Sequence, residues 1–143
     1  MRFLLDTNVF REIGKTSPHE HVSAWLAQVD DTDLAISALT VREVTKGVEK
    51  LRVRKPDVAA AIEARVQASF DAFGDRILPI DRDTSELWGA LLGVSEKHID
   101  DTGLAATARV HQLVLVTRNL ADVAGRGVMT LDPFKSSPTV ERP

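Results

Sequence analysis

The sequence predicts an α/β domain with a mostly parallel sheet of about five strands and helices on both faces of that sheet. Short apolar runs alternate along the chain with segments whose apolar residues recur at helical spacing. This alternation is typical of βαβ units, whose parallel strands are buried on both faces. The length of 143 residues corresponds to one domain.

The first half of the chain begins with an apolar run at residues 2–5, which we expect to form a buried strand. A helix is expected from Pro18, because apolar residues follow it at three- and four-residue steps. Residues 34–36 form the next expected strand. Ser37 or Thr40 is then expected to cap a long helix.

The second half of the chain contains six further expected elements. They are a helix from Pro56 to Phe73, a strand at 77–80, a helix from Asp83, a small-residue helix at 104–108, and strands at 113–116 and 128–131. We place the strand at 77–80 at an edge of the sheet, because Pro79 has no N–H to donate to a central ladder. The polar segment 135–143 is expected to be a flexible C-terminal tail.

Composition excludes several classes of protein. Lys and Arg total 18 and Asp and Glu total 21, and the net charge of −3 argues against nonspecific coating of nucleic acid. The absence of cysteine excludes disulfide scaffolds, thiolate zinc sites and cysteine nucleophiles, so a metal ion would need oxygen or imidazole ligands. No apolar stretch approaches the roughly 18 residues of a transmembrane helix. We therefore expect a cytoplasmic protein without a membrane segment.

Acidic residues stand at four boundaries between the expected elements. Asp6 follows the first strand, Glu43 lies early in a helix, Asp100 and Asp101 precede the small-residue helix, and Asp122 follows the fourth strand. Carboxylates that converge at the carboxyl edge of a parallel sheet repel one another unless a cation lies among them. An oxygen-only site of this kind suits Mg²⁺ or Mn²⁺. The pattern therefore indicates metal-assisted hydrolysis of a phosphodiester.

Each of these acids also has an ordinary structural interpretation. The interpretations are a turn cap for Asp6, a capping box with Thr40 for Glu43, an N-cap for Asp100 or Asp101, and a solvated surface position for Asp122. No single acid distinguishes the metal-site interpretation from the structural one. Their combination at one edge of the sheet favours the metal site.

Four segments resemble, in the family's order, the motifs of PIN-domain ribonucleases. They are Leu4–Val9, Ser37–Glu43, Asp101–Ala108 and Val116–Asp122. The resemblance is to the VapC and FitB-like toxins of type II toxin–antitoxin systems, and residues 73–81 resemble a connecting segment of the FitB-like branch. It implies a PIN domain over residues 1–134 with a three-layer α/β/α fold, and an endoribonuclease that hydrolyses RNA with Mg²⁺ or Mn²⁺.

The resemblance also implies roles for particular residues. Asp6, Glu43 and Asp101 match the three core acids of the metal site. The fourth position falls on Asn119 or Asp122, and Asp122 is preferred because an amide is a weak ligand for a hard divalent cation. Asn119 would then be a neighbouring partner of the site.

Other polar residues of the motifs would support these acids. Thr7 and Thr117 would orient carboxylates or water through their hydroxyl groups, and Asn8 would steady the loop after the first strand. The expected partners are an RNA substrate, a cognate VapB- or FitA-like antitoxin, and a second copy of the chain in a homodimer.

Basic residues near these motifs are candidates for contact with RNA phosphates. Arg118 lies next to the predicted chemistry, and Arg42 and Lys46 belong to a locally positive window at residues 42–55. The alternative for that window is a solvated helix face with Lys–Glu pairs. The four histidines are dispersed, and we interpret them as surface or helix-end residues.

Two other functions remain open from the sequence. One is a noncatalytic binding module that keeps the fold as a partner surface. The other is a receiver-like phosphoryl-accepting domain, which would need an Asp after a middle strand and a Lys after a late strand. The chain has no Asp directly after residues 34–36 and has Arg118 at the late turn, so this second alternative ranks lowest.

Overall fold

The computed structural model describes residues 1–143 and confirms the predicted α/β fold, with a five-stranded parallel sheet between layers of helices. The strands are β1 (Phe3–Leu5), β2 (Leu34–Ser37), β3 (Ile77–Leu78), β4 (Val114–Val116) and β5 (Thr130–Leu131). Their spatial order is β3-β2-β1-β4-β5, and every pair is parallel. The strand that ends before Pro79 therefore lies at an edge, as predicted. None of the helices has the length and apolar composition needed to cross a bilayer.

Six helices and three short 3-10 turns connect the strands. The helices are α1 (Thr7–Phe10), α2 (Glu20–Leu26), α3 (Ala38–Arg54), α4 (Pro56–Phe73), α5 (Arg82–Val94) and α6 (Ile99–Val110), and the 3-10 turns are Asp31–Asp33, Gly74–Arg76 and Leu120–Val123. Two helices begin close to, but not at, their expected first residues. The ring nitrogen Nδ1 of His19 accepts the N–H of His21 at the start of α2, and the carboxylate of Asp81 accepts the N–H of Thr84 at the start of α5.

The start of α3 tests whether Glu43 forms a capping box with Thr40. Ser37 is the N-cap, and its hydroxyl accepts the N–H of Leu39 at 3.0 Å. Thr40 lies inside the helix and is fully buried. The capping box between Thr40 and Glu43 is therefore wrong, because a capping-box threonine must stand at the N-cap.

The core has two parts, one on each face of the sheet. Alternate residues of β1 divide between them, with Phe3 and Leu5 in the part covered by α2 and α4, and Leu4 in the part covered by α6. The β-strands are buried on both faces, which explains why they appear in the sequence as continuous apolar runs. Helix α3 contributes to both parts and so ties the two layers together.

One residue of the expected tail contacts the edge of the sheet. Glu141 exchanges two backbone hydrogen bonds with Thr130 of β5, at 2.7 and 2.9 Å. Lys135 lies 3.6 Å from the carboxylate of Glu141. The flexibility of residues 135–143 stays a prediction.

Gly103 lets α6 approach its neighbours closely. A Cβ atom at this position would lie 2.7 Å from Leu39 of α3 and 2.8 Å from the Trp88 ring of α5. The Trp88 indole is held in turn by a hydrogen bond to the carbonyl of Ile99 at 2.9 Å. The sequence predicts a helix of small residues here, and Gly103 is the small residue at which α6 contacts α3 and α5.

We expect Gly103→Ala to destabilise the protein although alanine is the better helix former. The added methyl group should cost about 1–3 kcal/mol by overpacking, which exceeds the helix-propensity gain of about 1 kcal/mol. Gly89→Ala in α5 is the matched control, because nothing lies within 4 Å of its Cβ position, and it should stabilise the protein. Urea unfolding of both variants measures the difference, and a Gly103→Ala variant as stable as Gly89→Ala would contradict the close approach.

Candidate active site

A polar cleft of about 190 Å³ lies at the carboxyl edge of the sheet. Four acids line it: Asp6 directly after β1, Glu43 on α3, and Asp100 and Asp101 in the first turn of α6. Asn119, from the turn after β4, lines it as well. The structure therefore brings Asp6, Glu43 and Asp101 together, from segments nearly a hundred residues apart in the sequence.

Asp6 is the most deeply placed of these acids and is 4% exposed. One carboxylate oxygen accepts the N–H of Asn8 at 2.6 Å, and the other accepts the hydroxyl of Thr117 at 2.5 Å. The first bond makes Asp6 the N-cap of α1, so the turn-cap interpretation and the cleft position are both correct for this residue. Burial raises the pKa of the Asp6 carboxyl, while the hydrogen bonds from Thr117 and Asn8 oppose that rise.

Thr117 can reach Asp6 because of the register between β1 and β4. Leu5 pairs with Val116, so the residues that follow each strand lie side by side. Thr117 also accepts the N–H of Asn119 through its hydroxyl oxygen at 3.0 Å. Nearby, the hydroxyl of Thr7 donates to that of Thr40 at 3.3 Å, which joins α1 to α3.

Asp101 is half-buried, and its charge is unfavourable in the structure. Burial is the largest cause of its raised pKa, and the neighbouring charges of Asp6 and Asp122 raise it further. Neither Asp100 nor Asp101 is the N-cap of α6, because that position belongs to His98 and its side chain makes no capping hydrogen bond. The N-cap interpretation of these two acids is therefore wrong.

Arg42 and Lys46, two of the expected RNA-binding residues, both lie against Glu43. The guanidinium Nη2 of Arg42 donates to Glu43 Oε1 at 2.9 Å and to Asp100 Oδ2 at 2.5 Å. Lys46 Nζ lies 3.8 Å from the same Glu43 oxygen. The hydrogen bond from Arg42 lowers the pKa of Glu43 below its ordinary value.

Asp122 does not line the cleft but lies beside Asp101. It belongs to the 3-10 turn after β4, where its Oδ1 is 3.6 Å from Nδ1 of His98. The potential ligand atoms of His98, Asp101 and Asp122 all lie within 4.8 Å of one another. Asp122 is therefore close to Asp101 without lining the cleft, whereas Asn119 lines it.

His98 and Arg11 are site residues that the sequence did not single out. His98 precedes Asp101 by three residues, a spacing that becomes informative only once the start of α6 is known. Arg11 follows α1 and lines the cleft beside Asn8. Arg118 lies outside the cleft lining, with its guanidinium 4.2 Å from the centre of the Phe134 ring.

The donor set fits a hard divalent cation. The cleft offers carboxylate oxygens from four acids and the amide oxygens of Asn8 and Asn119, with few apolar residues. Two of these carboxyls, Asp6 and Asp101, have raised pKa values: burial is the largest cause for both, and for Asp101 the charges of Asp6 and Asp122 add to it. A cation among them would favour the charged form of both carboxyls and so oppose both shifts.

We expect Asp101→Asn to raise the melting temperature of the metal-free protein at pH 7 by about 3 °C, the shift that roughly 1 kcal/mol gives in a domain of this size. The folded protein holds this proton more tightly than the unfolded chain, so stability falls as the pH rises from the ordinary carboxyl pKa through the raised one. The advantage of the variant should therefore disappear at about pH 4.

The same variant should lose part of the stabilisation that added Mn²⁺ or Mg²⁺ gives the wild type. Thermal unfolding in EDTA and with excess metal measures both effects. Asp30→Asn is the control, because Asp30 is exposed and its side chain makes no cap hydrogen bond. An Asp101→Asn variant that matches this control under every condition would contradict the repulsion between the acids.

Comparison with known proteins agrees with this geometry. The family model of the PIN domain matches residues 3–121. The chain is 32% identical to Toxin FitB of Neisseria gonorrhoeae, over 92% of this chain and 97% of that protein. It is also 32% identical to VapC ribonuclease Y4jK of Sinorhizobium fredii, again over 92% of this chain and 97% of that protein.

Solved structures extend the likeness to the whole fold. The crystal structure of FitAcB from Neisseria gonorrhoeae superposes with a TM-score of 0.82 at 30% identity, over 92% of this chain and 98% of that chain. A toxin–antitoxin complex from Klebsiella pneumoniae gives a TM-score of 0.68 at 27% identity, over 91% and 96% of the two chains. With its acids gathered at the carboxyl edge of a parallel sheet, this chain belongs to the PIN domain family.

Proposed function

We propose that this protein is the toxin of a type II toxin–antitoxin system and acts as a Mg²⁺- or Mn²⁺-dependent endoribonuclease. The observation that carries the proposal is the convergence of Asp6, Glu43 and Asp101 on one cleft. The names of the relatives, a toxin and a VapC ribonuclease, support the same activity and role.

Asp6, Glu43 and Asp101 would hold the cation, with Asp122 as the fourth acid and Asn119 as a partner. A bound divalent cation supplies a more acidic water and stabilises negative charge on phosphate oxygens. The oxygen ligands suit Mg²⁺ and Mn²⁺ alike, and the imidazole of His98 beside Asp101 and Asp122 would favour a transition metal over Mg²⁺. Thr117 fixes the orientation of the Asp6 carboxylate, because its hydroxyl bond is buried and short.

The residues of the chain position the reacting groups. Hydrolysis adds a water oxygen to phosphorus and releases a ribose hydroxyl, so negative charge accumulates on the phosphate beside the acids. The reaction needs no covalent intermediate with the enzyme. The guanidinium of Arg118, in the turn after β4, stacks on the ring of Phe134. With Lys46 and Arg42, Arg118 would bind RNA phosphates next to the scissile bond.

An antitoxin and a second copy of the chain are the proposed protein partners. The apolar stripe of α4 is only partly used by the core, since Phe70 and Phe73 are buried but Val58 is 49% exposed. Between α3 and α4 lies a groove of about 290 Å³ with mainly apolar walls, formed in part by Val48 and Ile62. Such a surface suits a segment of a partner protein. We place the protein in the cytoplasm, where its proposed RNA substrate occurs.

We expect Asp6→Asn to lower the rate of metal-dependent RNA cleavage by about 100-fold or more, because an amide is a weaker ligand than a carboxylate for a hard divalent cation. Each tenfold loss corresponds to about 1.4 kcal/mol of transition-state stabilisation. Folding should persist, since asparagine is also a good N-cap for α1. Cleavage of a labelled RNA with Mg²⁺ or Mn²⁺, alongside thermal unfolding, measures both. Unchanged cleavage by a folded variant would refute the role of Asp6, and absence of cleavage by the wild type would favour the noncatalytic binding module.

We expect expression of the wild-type protein to arrest bacterial growth and co-expression of the cognate antitoxin to restore it. Asp6→Asn should not arrest growth, because the arrest depends on RNA cleavage. Growth curves after induction, with immunoblots that show equal protein levels, test this expectation. Normal growth of cells that contain active nuclease would argue against the toxin role and leave the nuclease assignment intact.

A further inference from the structure

Arg42 joins two acids of the cleft that come from different helices. Its guanidinium lies between Glu43 of α3 and Asp100 of α6, within 2.9 Å of each. Both acids line the cleft, whereas Arg42 itself does not and is exposed. The arginine therefore bridges two walls of the cleft from the outside.

The bridge supplies positive charge where the metal-free protein needs it. Four carboxylates line the cleft together with Arg11, and the cations that form ion pairs with Glu43 and Asp100 are Arg42 and the more distant Lys46. Arginine suits this position, because its planar fork can donate to two carboxylates at once. The bridge thus offsets part of the repulsion among the acids.

The same bridge occupies an oxygen that the proposed metal site needs. Glu43 Oε1 already accepts from Arg42 and lies near Lys46. A ligand oxygen that is engaged with a guanidinium must weaken that contact before it can bind another cation. The positive charge of Arg42 also lowers the attraction of the whole cleft for divalent ions.

We propose that Arg42 is a built-in counter-ion, a positioning residue that holds Glu43 and Asp100 in the metal-free protein and competes with the divalent cation for them. This inference rests on the proposed function, since it assumes that Glu43 is a metal ligand. Arg42 then sets the metal concentration at which the site fills. Arg42 can also bind an RNA phosphate only when its hydrogen bonds to Glu43 and Asp100 are broken.

A second arginine of α3 provides a matched control within the chain. Arg52 donates to Glu49 and to Glu63, so it joins α3 to α4 in the way that Arg42 joins α3 to α6. None of these three residues lines the cleft. Arg52→Gln therefore removes the same charge and the same type of bridge from the same helix, but not from the site.

The experiment is calorimetric titration of the full-length, metal-free protein with MnCl₂. Arg42→Gln should bind Mn²⁺ about three- to fivefold more tightly than the wild type, the range expected for loss of a competing exposed ion pair. Arg42→Lys, which keeps the charge but not the two-carboxylate fork, should lie between the two. Arg52→Gln should match the wild type.

Thermal unfolding gives a second readout that does not depend on activity. In EDTA, Arg42→Gln should melt below the wild type, and saturating Mn²⁺ should raise its melting temperature by more than it raises that of the wild type or Arg52→Gln. Equal or weaker Mn²⁺ binding by Arg42→Gln, or tightening no greater than in Arg52→Gln, would overturn the inference. An Arg42→Lys variant that binds exactly like the wild type would overturn competition through the bridge.

Failure of the proposed function would give a different pattern. If the cleft were not a metal site, the wild type would show no binding heat, and Asp101→Asn would leave the Mn²⁺ titration unchanged. That result would overturn both proposals. Wild-type binding that requires Asp101 but is indifferent to Arg42 would overturn this inference alone.

Discussion

Repulsion among carboxylates held in one small cleft is the constraint on which the rest of this structure depends. Burial disfavours the charges of both Asp6 and Asp101, and the folded chain brings Asp6 and Asp122 close enough to Asp101 to disfavour its charge further. Neither acid is relieved by a hydrogen-bonded Lys or Arg. A fold whose acids served stability alone would pair them, and this is why the arrangement supports the proposed cation site.

The surrounding fold offsets this cost through packing and directed hydrogen bonds. Strand β1 is completely enclosed, so the position of Asp6 at its end is fixed by the core on both sides of the sheet. Thr117 binds Asp6 from the neighbouring strand, and the same hydroxyl accepts the N–H of Asn119. One threonine therefore orients the buried acid and shapes the turn that leads to Asp122. Gly103 completes the arrangement, because it lets α6, which carries Asp101, pack closely against α3 and α5.

The sequence predicts features that depend on neighbouring residues better than features that depend on distant contacts. The five strands and the position of Asp6 follow from apolar runs that stop at polar residues. The convergence of the acids follows because parallel strands end at one edge.

Predictions that depend on a choice between similar residues or on distant contacts were wrong or absent. The predicted capping box at Thr40 is wrong, since Ser37 offers an equally good N-cap three residues earlier. The N-cap at His98 was missed because its backbone has φ of 52°, which few non-glycine residues adopt. The bridge from Arg42 to Asp100 spans 58 positions and has no local signal.

The charge balance of the cleft depends on where the arginines of α3 form their ion pairs. Arg42 and Arg52 make the same kind of bridge from one helix, yet only the first ends on cleft acids. The bridge of Arg52 between α3 and α4 contacts none of the cleft acids. A bridge between α3 and α6 sets the electrostatic potential where a phosphate and a cation would meet. The position of an ordinary surface ion pair, rather than its strength, therefore determines whether it influences function, and in this protein the relevant position is the mouth of the acidic cleft.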